Sequence, residues 1–165
     1  AQDLEIDNSS YPTKPIAENS HKFRPLGMGY ANLGSLLMFL GLPYDSEEAR
    51  AVAAAITALL TGKVYETSTE MAEKIGVFEE FEKNKIPMLN VMKMHRDSLE
   101  LINTAKLPRE FFPVFEEAKK TWERVIERGE IFGFRNSQAT VLAPTGCLTG
   151  NSLISTNKGL VRLTR

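Results

Sequence analysis

Cysteine is nearly absent: one thiol, Cys147, in 165 residues, which excludes an internal disulfide and points to a reducing compartment. Histidine is scarce too. His21 and His95 lie far apart, and neither has a partner at metal-ligand spacing, so no metal site is expected. An excess of either charge is missing, since 20 basic and 21 acidic residues are interleaved along the chain. That pattern supplies no basic stripe to neutralise a phosphate backbone and argues against nucleic acid as a partner. No uninterrupted apolar run is long enough to span a membrane, and Ala1-Gln2-Asp3-Leu4-Glu5 has neither the basic start nor the apolar core of a signal peptide. No membrane partner is expected, and a cytoplasmic location is.

What is present suffices for one domain with a real core: 42% of residues are hydrophobic and 25% charged. Residues 7–25, "DNSSYPTKPIAENSHKFRP", carry three prolines and read as an ordered loop or extended arm. A helix follows through Leu33, Leu36, Leu37 and Leu40, stopped by Gly41 and Pro43. Asp45 with Glu48 forms a capping-box pattern. Behind it Ala49, Val52, Ala53, Ile56, Leu59 and Leu60 line one face of a helix that continues past Gly62 to Gly76. Its many Ala and Ser positions predict close contact with neighbouring helices. Pro87 predicts a break before a helical run from about Leu89 to Ile102. Another helix should run from Pro113 to Arg128 and end at Gly129. The segments "ATVLA" and "SLISTNKGLVRL" are β-branched and apolar and read as short strands. The fold class is therefore mainly α with short β strands at the C-terminus.

Several stretches could carry chemistry. Gly27-Met28-Gly29 precedes a helix as phosphate-binding turns do, yet it lacks the third glycine and the preceding strand, and reads as a tight turn. The acidic clusters at Glu79-Glu80-Glu82 and Glu116-Glu117 alternate with lysines and aromatics, as on the wet side of a helix. Arg135-Asn136-Ser137-Gln138 is either a polar turn or a set of side chains aimed into a cleft. Ala143-Pro144-Thr145-Gly146, at the end of a strand, would make an anion cradle if a helix began next.

Taken together, Arg24-Pro25-Leu26-Gly27-Met28-Gly29-Tyr30-Ala31-Asn32-Leu33-Gly34, Leu42 through Ala49, Arg135 through Thr140 and Ala143-Pro144-Thr145-Gly146 resemble the large subunit of ribonucleotide reductases. The likeness is closest to the adenosylcobalamin-dependent class and covers nearly all of residues 1–146. It implies part of a ten-stranded α/β barrel, a ribonucleotide substrate, adenosylcobalamin as cofactor of the parent enzyme, and Ala143, Pro144, Thr145 and Gly146 as substrate-phosphate contacts. The family's radical-bearing and redox cysteines have no counterpart here. A thiyl radical, a reducing dithiol and an external relay need several thiols, so this chain alone cannot reduce a ribonucleotide. It reads as a fragment that needs the remainder of the reductase chain.

From Cys147 the reductase pattern stops. Cys147-Leu148-Thr149-Gly150-Asn151-Ser152-Leu153-Ile154 resembles the first block of an intein, a self-splicing insert. That resemblance divides the chain into a reductase part, 1–146, and the start of an intein, 147–165. It makes Cys147 the nucleophile and Gly146 the acyl donor, a fitting pair because a thiolate is a strong nucleophile and glycine an unhindered acyl group. The other reading of Cys147 is a buried free thiol in a strand. The remaining splicing residues have no match after Lys158, so a complementary intein half would have to supply them. Three functions stay open: the upstream half of an intein-interrupted reductase, the N-terminal half of a split intein, or a helical interaction module on a reductase-derived scaffold.

Overall fold

The computed structural model describes residues 1–143 and, as backbone, the strands Leu153–Thr156 and Gly159–Arg162. Six helices are described: α1 (Gln2–Asn8), α2 (Lys14–Phe23), α3 (Leu33–Phe39), α4 (Glu47–Ile75), α5 (Phe81–Asp97) and α6 (Phe112–Phe132). Short 3₁₀ turns at Ser98–Leu101, Thr104–Lys106 and Arg109–Phe111 link α5 to α6. The strands β1 (Leu153–Thr156) and β2 (Gly159–Arg162) pair antiparallel, with Leu153 opposite Arg162 and Thr156 opposite Gly159.

Helices α4 and α6 form the centre, and α5 packs on α6. α4 turns its smallest residues inward: Ala51, Ala55, Thr61, Gly62, Ser68 and Ala72 are buried. Ala53, Ile56, Leu59 and Leu60, expected on the inner face, are half-buried along its flanks instead. The shift has a packing cause. A Cβ on Gly62 would come within 3.0 Å of the Thr121 methyl and 3.1 Å of Trp122 Nε1, so only small residues admit α6 this closely. Trp122 is 1% exposed and its indole N–H donates to the Ala58 carbonyl at 3.0 Å, giving the buried ring its polar partner. Phe78, Phe81, Tyr65 and Phe134 continue the core through edge-on contacts with ring centroids 5.5–6.3 Å apart.

Several boundaries differ from the sequence reading. The expected loop over 7–25 contains α2 and the end of α1; Pro15 falls in the first turn of α2, where its missing N–H costs nothing. The cap of α4 is Ser46 rather than Asp45. Its extended backbone lets Oγ accept from the Ala49 N–H at 3.1 Å, while Asp45 pairs with Arg50 at 2.6 Å. Pro87 does not break the chain but lies inside α5, whose Phe81, Met88 and Met92 are buried and outweigh one lost helical hydrogen bond. α6 runs past Gly129 and stops at Gly133; at Gly129 a Cβ would strike the Phe134 ring, so that glycine serves close packing and not termination.

The expected strand at "ATVLA" is reduced to a short parallel pairing. Leu26 N–H donates to Gln138 O at 2.7 Å, Met28 N–H to Ala139 O at 3.0 Å and Val141 N–H to Met28 O at 2.9 Å. The Gly27-Met28-Gly29 stretch belongs to this pairing instead of forming a tight turn ahead of a helix. A Cβ on Gly29 would overlap the Val141 carbonyl oxygen, which explains a glycine beside a neighbouring backbone. At the far end of α3, Met38 and Phe39 are 78% and 90% exposed, an apolar tip left uncovered.

Candidate functional site

The segment that leads to Ala143 is held from below by a buried polar cluster. Asn136, 1% exposed, donates through Nδ2 to Asp3 Oδ1 at 3.0 Å and to Arg24 O at 3.1 Å, and its Oδ1 accepts from Ser68 Oγ at 3.0 Å. Its backbone N–H donates to the same Ser68 oxygen at 3.0 Å. Arg24, left-handed at φ 47°, caps α2 and sends its guanidinium to Asp3 Oδ1 at 2.8 Å and to both Asp7 oxygens at 2.7 and 2.9 Å. Burial by itself would raise the pKa of Asp3; hydrogen bonds from Arg24 and Asn136 and the charges of Arg24 and Arg135 outweigh it and hold the carboxyl below its ordinary value. No buried side-chain polar atom among the described residues lacks a partner.

Beyond Asn136 the chain zips along residues 23–28, starting with Ser137 N–H on Phe23 O at 3.0 Å. Thr140 and Leu142 then line a cavity of about 380 Å³ together with Thr57, Thr61, His95 and Trp122. The His95 ring lies 5.6 Å from that of Trp122, and burial pushes its pKa below the usual histidine value, so it faces the cavity as neutral imidazole at pH 7. Residues 140–143 form the carboxyl end of a parallel-paired segment, the end past which open and closed parallel sheets place their ligands.

Of the residues singled out in the sequence, Ala143 is exposed at that end. Pro144, Thr145, Gly146 and Cys147 lie outside the described residues. Arg135–Gln138 is neither a plain polar turn nor a cleft lining: Asn136 is interior, Arg135 reaches Gly76 O at 3.3 Å and Gln138 is exposed. His21 stands 3.7 Å from Asp7, apart from His95, and no described cluster of three His, Cys, Asp or Glu could hold a metal ion. No described helix is long and apolar enough to cross a membrane. Glu117 holds Lys63 and Arg124 at 3.0 Å, and those hydrogen bonds lower its pKa to about 2, as part of an exposed ladder between α4 and α6.

The model of the ribonucleotide reductase barrel domain matches residues 1–159. The chain belongs to this family. A vitamin B12-dependent ribonucleotide reductase of Rhodopirellula baltica is 53% identical over 149 residues, covering 90% of this chain and 14% of that protein. Reductases of the same name from Streptomyces coelicolor and Bradyrhizobium diazoefficiens are 45% and 40% identical, covering 90% and 88% of the chain and 15% and 13% of themselves. The chain thus spans about a seventh of the relatives it matches. In this barrel-domain segment the sequence reading missed Asp3 and the cavity wall, and read Ser68 only as an inner packing position of the long helix, where it is indeed buried. No spacing rule links positions 3, 24, 68 and 136; the one available signal was the polar Arg135–Gln138 run beside two aromatic positions.

Proposed function

We propose that this chain is the part of a vitamin B12-dependent ribonucleotide reductase that carries the substrate-phosphate contacts, in an enzyme converting ribonucleotides to deoxyribonucleotides. The observation that carries the reading is the 53% identity to a reductase of that name across 90% of the chain. Pro144, Thr145 and Gly146, with Ala143 before them, take the substrate phosphates: the Thr145 hydroxyl and the backbone N–H groups of Thr145 and Gly146 are the donors this sequence offers to phosphate oxygens. The pairing of Gln138–Val141 with Leu26–Met28 supports it, because it fixes the direction in which the chain arrives at those residues.

The parent enzyme takes adenosylcobalamin, the source of its radical when bound. The described residues do not fit that cofactor. A cavity of about 380 Å³ suits a drug-sized ligand, and a corrin with its nucleotide tail is several times larger. Cobalamin, the radical-bearing thiol and the reducing dithiol therefore belong to other parts of the longer protein.

At Cys147 an intein begins. The Cys147 thiolate attacks the Gly146 carbonyl carbon, a C–S bond forms as the Gly146–Cys147 C–N bond breaks, and the thiol proton ends on the freed amine. The division into 1–146 and 147–165 is supported by the resemblance of Cys147-Leu148-Thr149-Gly150-Asn151-Ser152-Leu153-Ile154 to an intein's first block, against the barrel-domain model, which matches as far as residue 159.

The test is expression of the complete reading frame. Cobalamin-dependent formation of deoxyribonucleotide is expected, with a raised KM in Thr145→Val; an unchanged KM would refute the phosphate-contact assignment. For the junction, excess small thiol should cleave between Gly146 and Cys147 once the rest of the intein is supplied. Cleavage that persists in Cys147→Ala, or is absent from both proteins, contradicts the nucleophile assignment.

A further inference from the structure

We propose that the cavity walled by His95 and Trp122 is the socket for a β-strand from another part of the same longer protein, which pairs with the open edge at Thr140–Leu142 and seats an uncharged, apolar side chain in the cavity. The proposal rests on the reading of this chain as part of a longer reductase and adds a contact through which it joins the remainder.

One edge of the segment is taken by Met28, whose N–H donates to Ala139 O at 3.0 Å and whose carbonyl accepts from Val141 N–H at 2.9 Å. The close approach of the Val141 carbonyl to Gly29 leaves no room to shift on that side. In a parallel ladder these bonds bracket Thr140, whose own N–H and C=O point to the other edge. Neither they nor the Leu142 N–H has a hydrogen-bond partner among the described residues. Such an edge is a template for a further strand.

The cavity lies beside that edge, with Thr140 and Leu142 in its wall and Ala54 and Thr61 of α4 across from them. None of the lining side chains carries a charge, since burial keeps His95 neutral. Most of the polar groups are already paired: Trp122 N–H with Ala58 O at 3.0 Å, and the Thr57 and Ser98 hydroxyls with Ala53 O and Met94 O at 2.7 Å. An apolar side chain suits such walls and a charged one does not. By volume alone a free small ligand also fits, but the rim calls for something larger. Leu142 is 57% exposed, and Leu101, between the lining residues Leu99 and Ile102, is 85% exposed. A ligand inside the cavity leaves both in water, whereas a strand across the mouth covers them. The source of that strand is the remainder of the protein. The chain corresponds to 14% of the Rhodopirellula baltica reductase and matches a barrel domain, and a closed barrel has no free strand edge.

The experiment measures amide hydrogen exchange at Thr140 and Leu142 in the 165-residue chain and in the full-length protein in which residues 1–146 run uninterrupted. Both amides should exchange about 100-fold more slowly in the full-length protein, while Val141 is protected in both. Ala54→Leu, which adds bulk to the cavity wall, should remove about tenfold of the added protection in the full-length protein; Val125 and Ile126 report whether that variant keeps its fold. Equal exchange in the two proteins overturns the proposal. So does protection already present in the 165-residue chain, which assigns the edge to this chain's own residues, or protection lost on dilution, which assigns it to a second copy. Unchanged protection in a folded Ala54→Leu variant means that nothing enters the cavity, and the socket falls. Cobalamin-dependent deoxyribonucleotide formation by the same full-length protein checks the reductase reading separately: activity without added protection sinks the socket alone, and protection without activity sinks that reading while the contact stands.

Discussion

Val52 and Ala55 in α4 are fully buried, and so are Thr69 and, at 2% exposure, Ser68 farther along the same helix. The first pair is covered by apolar side chains, where a small residue lets a neighbour approach and burial itself drives the contact. The second pair is polar and each hydroxyl is matched: Ser68 to Asn136, and Thr69 to the Glu66 carbonyl and Arg128. One helix thus has a half where apolar residues of small size set how closely α6 approaches and a half where a single missing partner leaves a buried donor or charge exposed to a penalty. The apolar half gives stability; the polar half gives position.

The largest effect should come from the apolar half. Trp122→Ala removes the ring against Gly62 and its bond to Ala58, and is expected to destabilise by about 3–5 kcal/mol in urea unfolding, with the polar cluster otherwise intact. Asp3→Asn comes next, at roughly 1–3 kcal/mol, since Arg24 keeps Asp7 as a partner. Asp3 also gives the polar half a pH signature. Its folded pKa lies below the ordinary aspartate value of 3.8, so its contribution is complete above that pH and is lost as pH falls through the folded value. Asp3→Asn should flatten that acid limb in unfolding curves measured against pH; an unchanged limb would show that Asp3 is not a linked group.

Gly29→Ala should act locally, at about 1–3 kcal/mol, because the new methyl meets the Val141 carbonyl while α4 and α6 lie elsewhere. The smallest change is expected for Glu117→Gln in the exposed ladder with Lys63 and Arg124. Its unfolding midpoint at physiological salt should stay within experimental scatter, since exposed pairs are screened. A clear loss there would mean that the ladder, and not the buried contact beneath it, joins α4 to α6.

The extent of the apolar half was legible in the sequence, because periodicity reports a helix, but its inner face was only partly so: Ala49 and Val52 are buried as expected, while Ala53, Ile56, Leu59 and Leu60 are half-buried. The long helix through Gly62 and its end at Gly76 were both read from spacing, and α6 was found with its end four residues short, at Arg128 instead of Phe132. The errors have local causes. Asp45 and Ser46 both suit a cap, and only backbone geometry selects Ser46; Pro87 was overruled by three buried side chains of α5. The polar half was not legible, because Asp3, Arg24, Ser68 and Asn136 meet through tertiary structure and share no period or motif. For the candidate site, the resemblance found the family, while the cavity with His95 and Trp122 had no signature at all. The Pro144–Cys147 junction is read from residues alone.

Amide hydrogen exchange at Met28 and Val141 in this chain and in its Ser68→Ala and Asn136→Ala variants tests the division most directly, since both amides belong to the pairing that the cluster governs. Both should exchange faster by roughly 10-fold or more, the factor for a loss of ~1.4 kcal/mol, while Val125 and Ile126 in α6 keep their protection. Unchanged exchange at Met28 and Val141 in both variants, or an equal rise at Val125 and Ile126, would contradict the account.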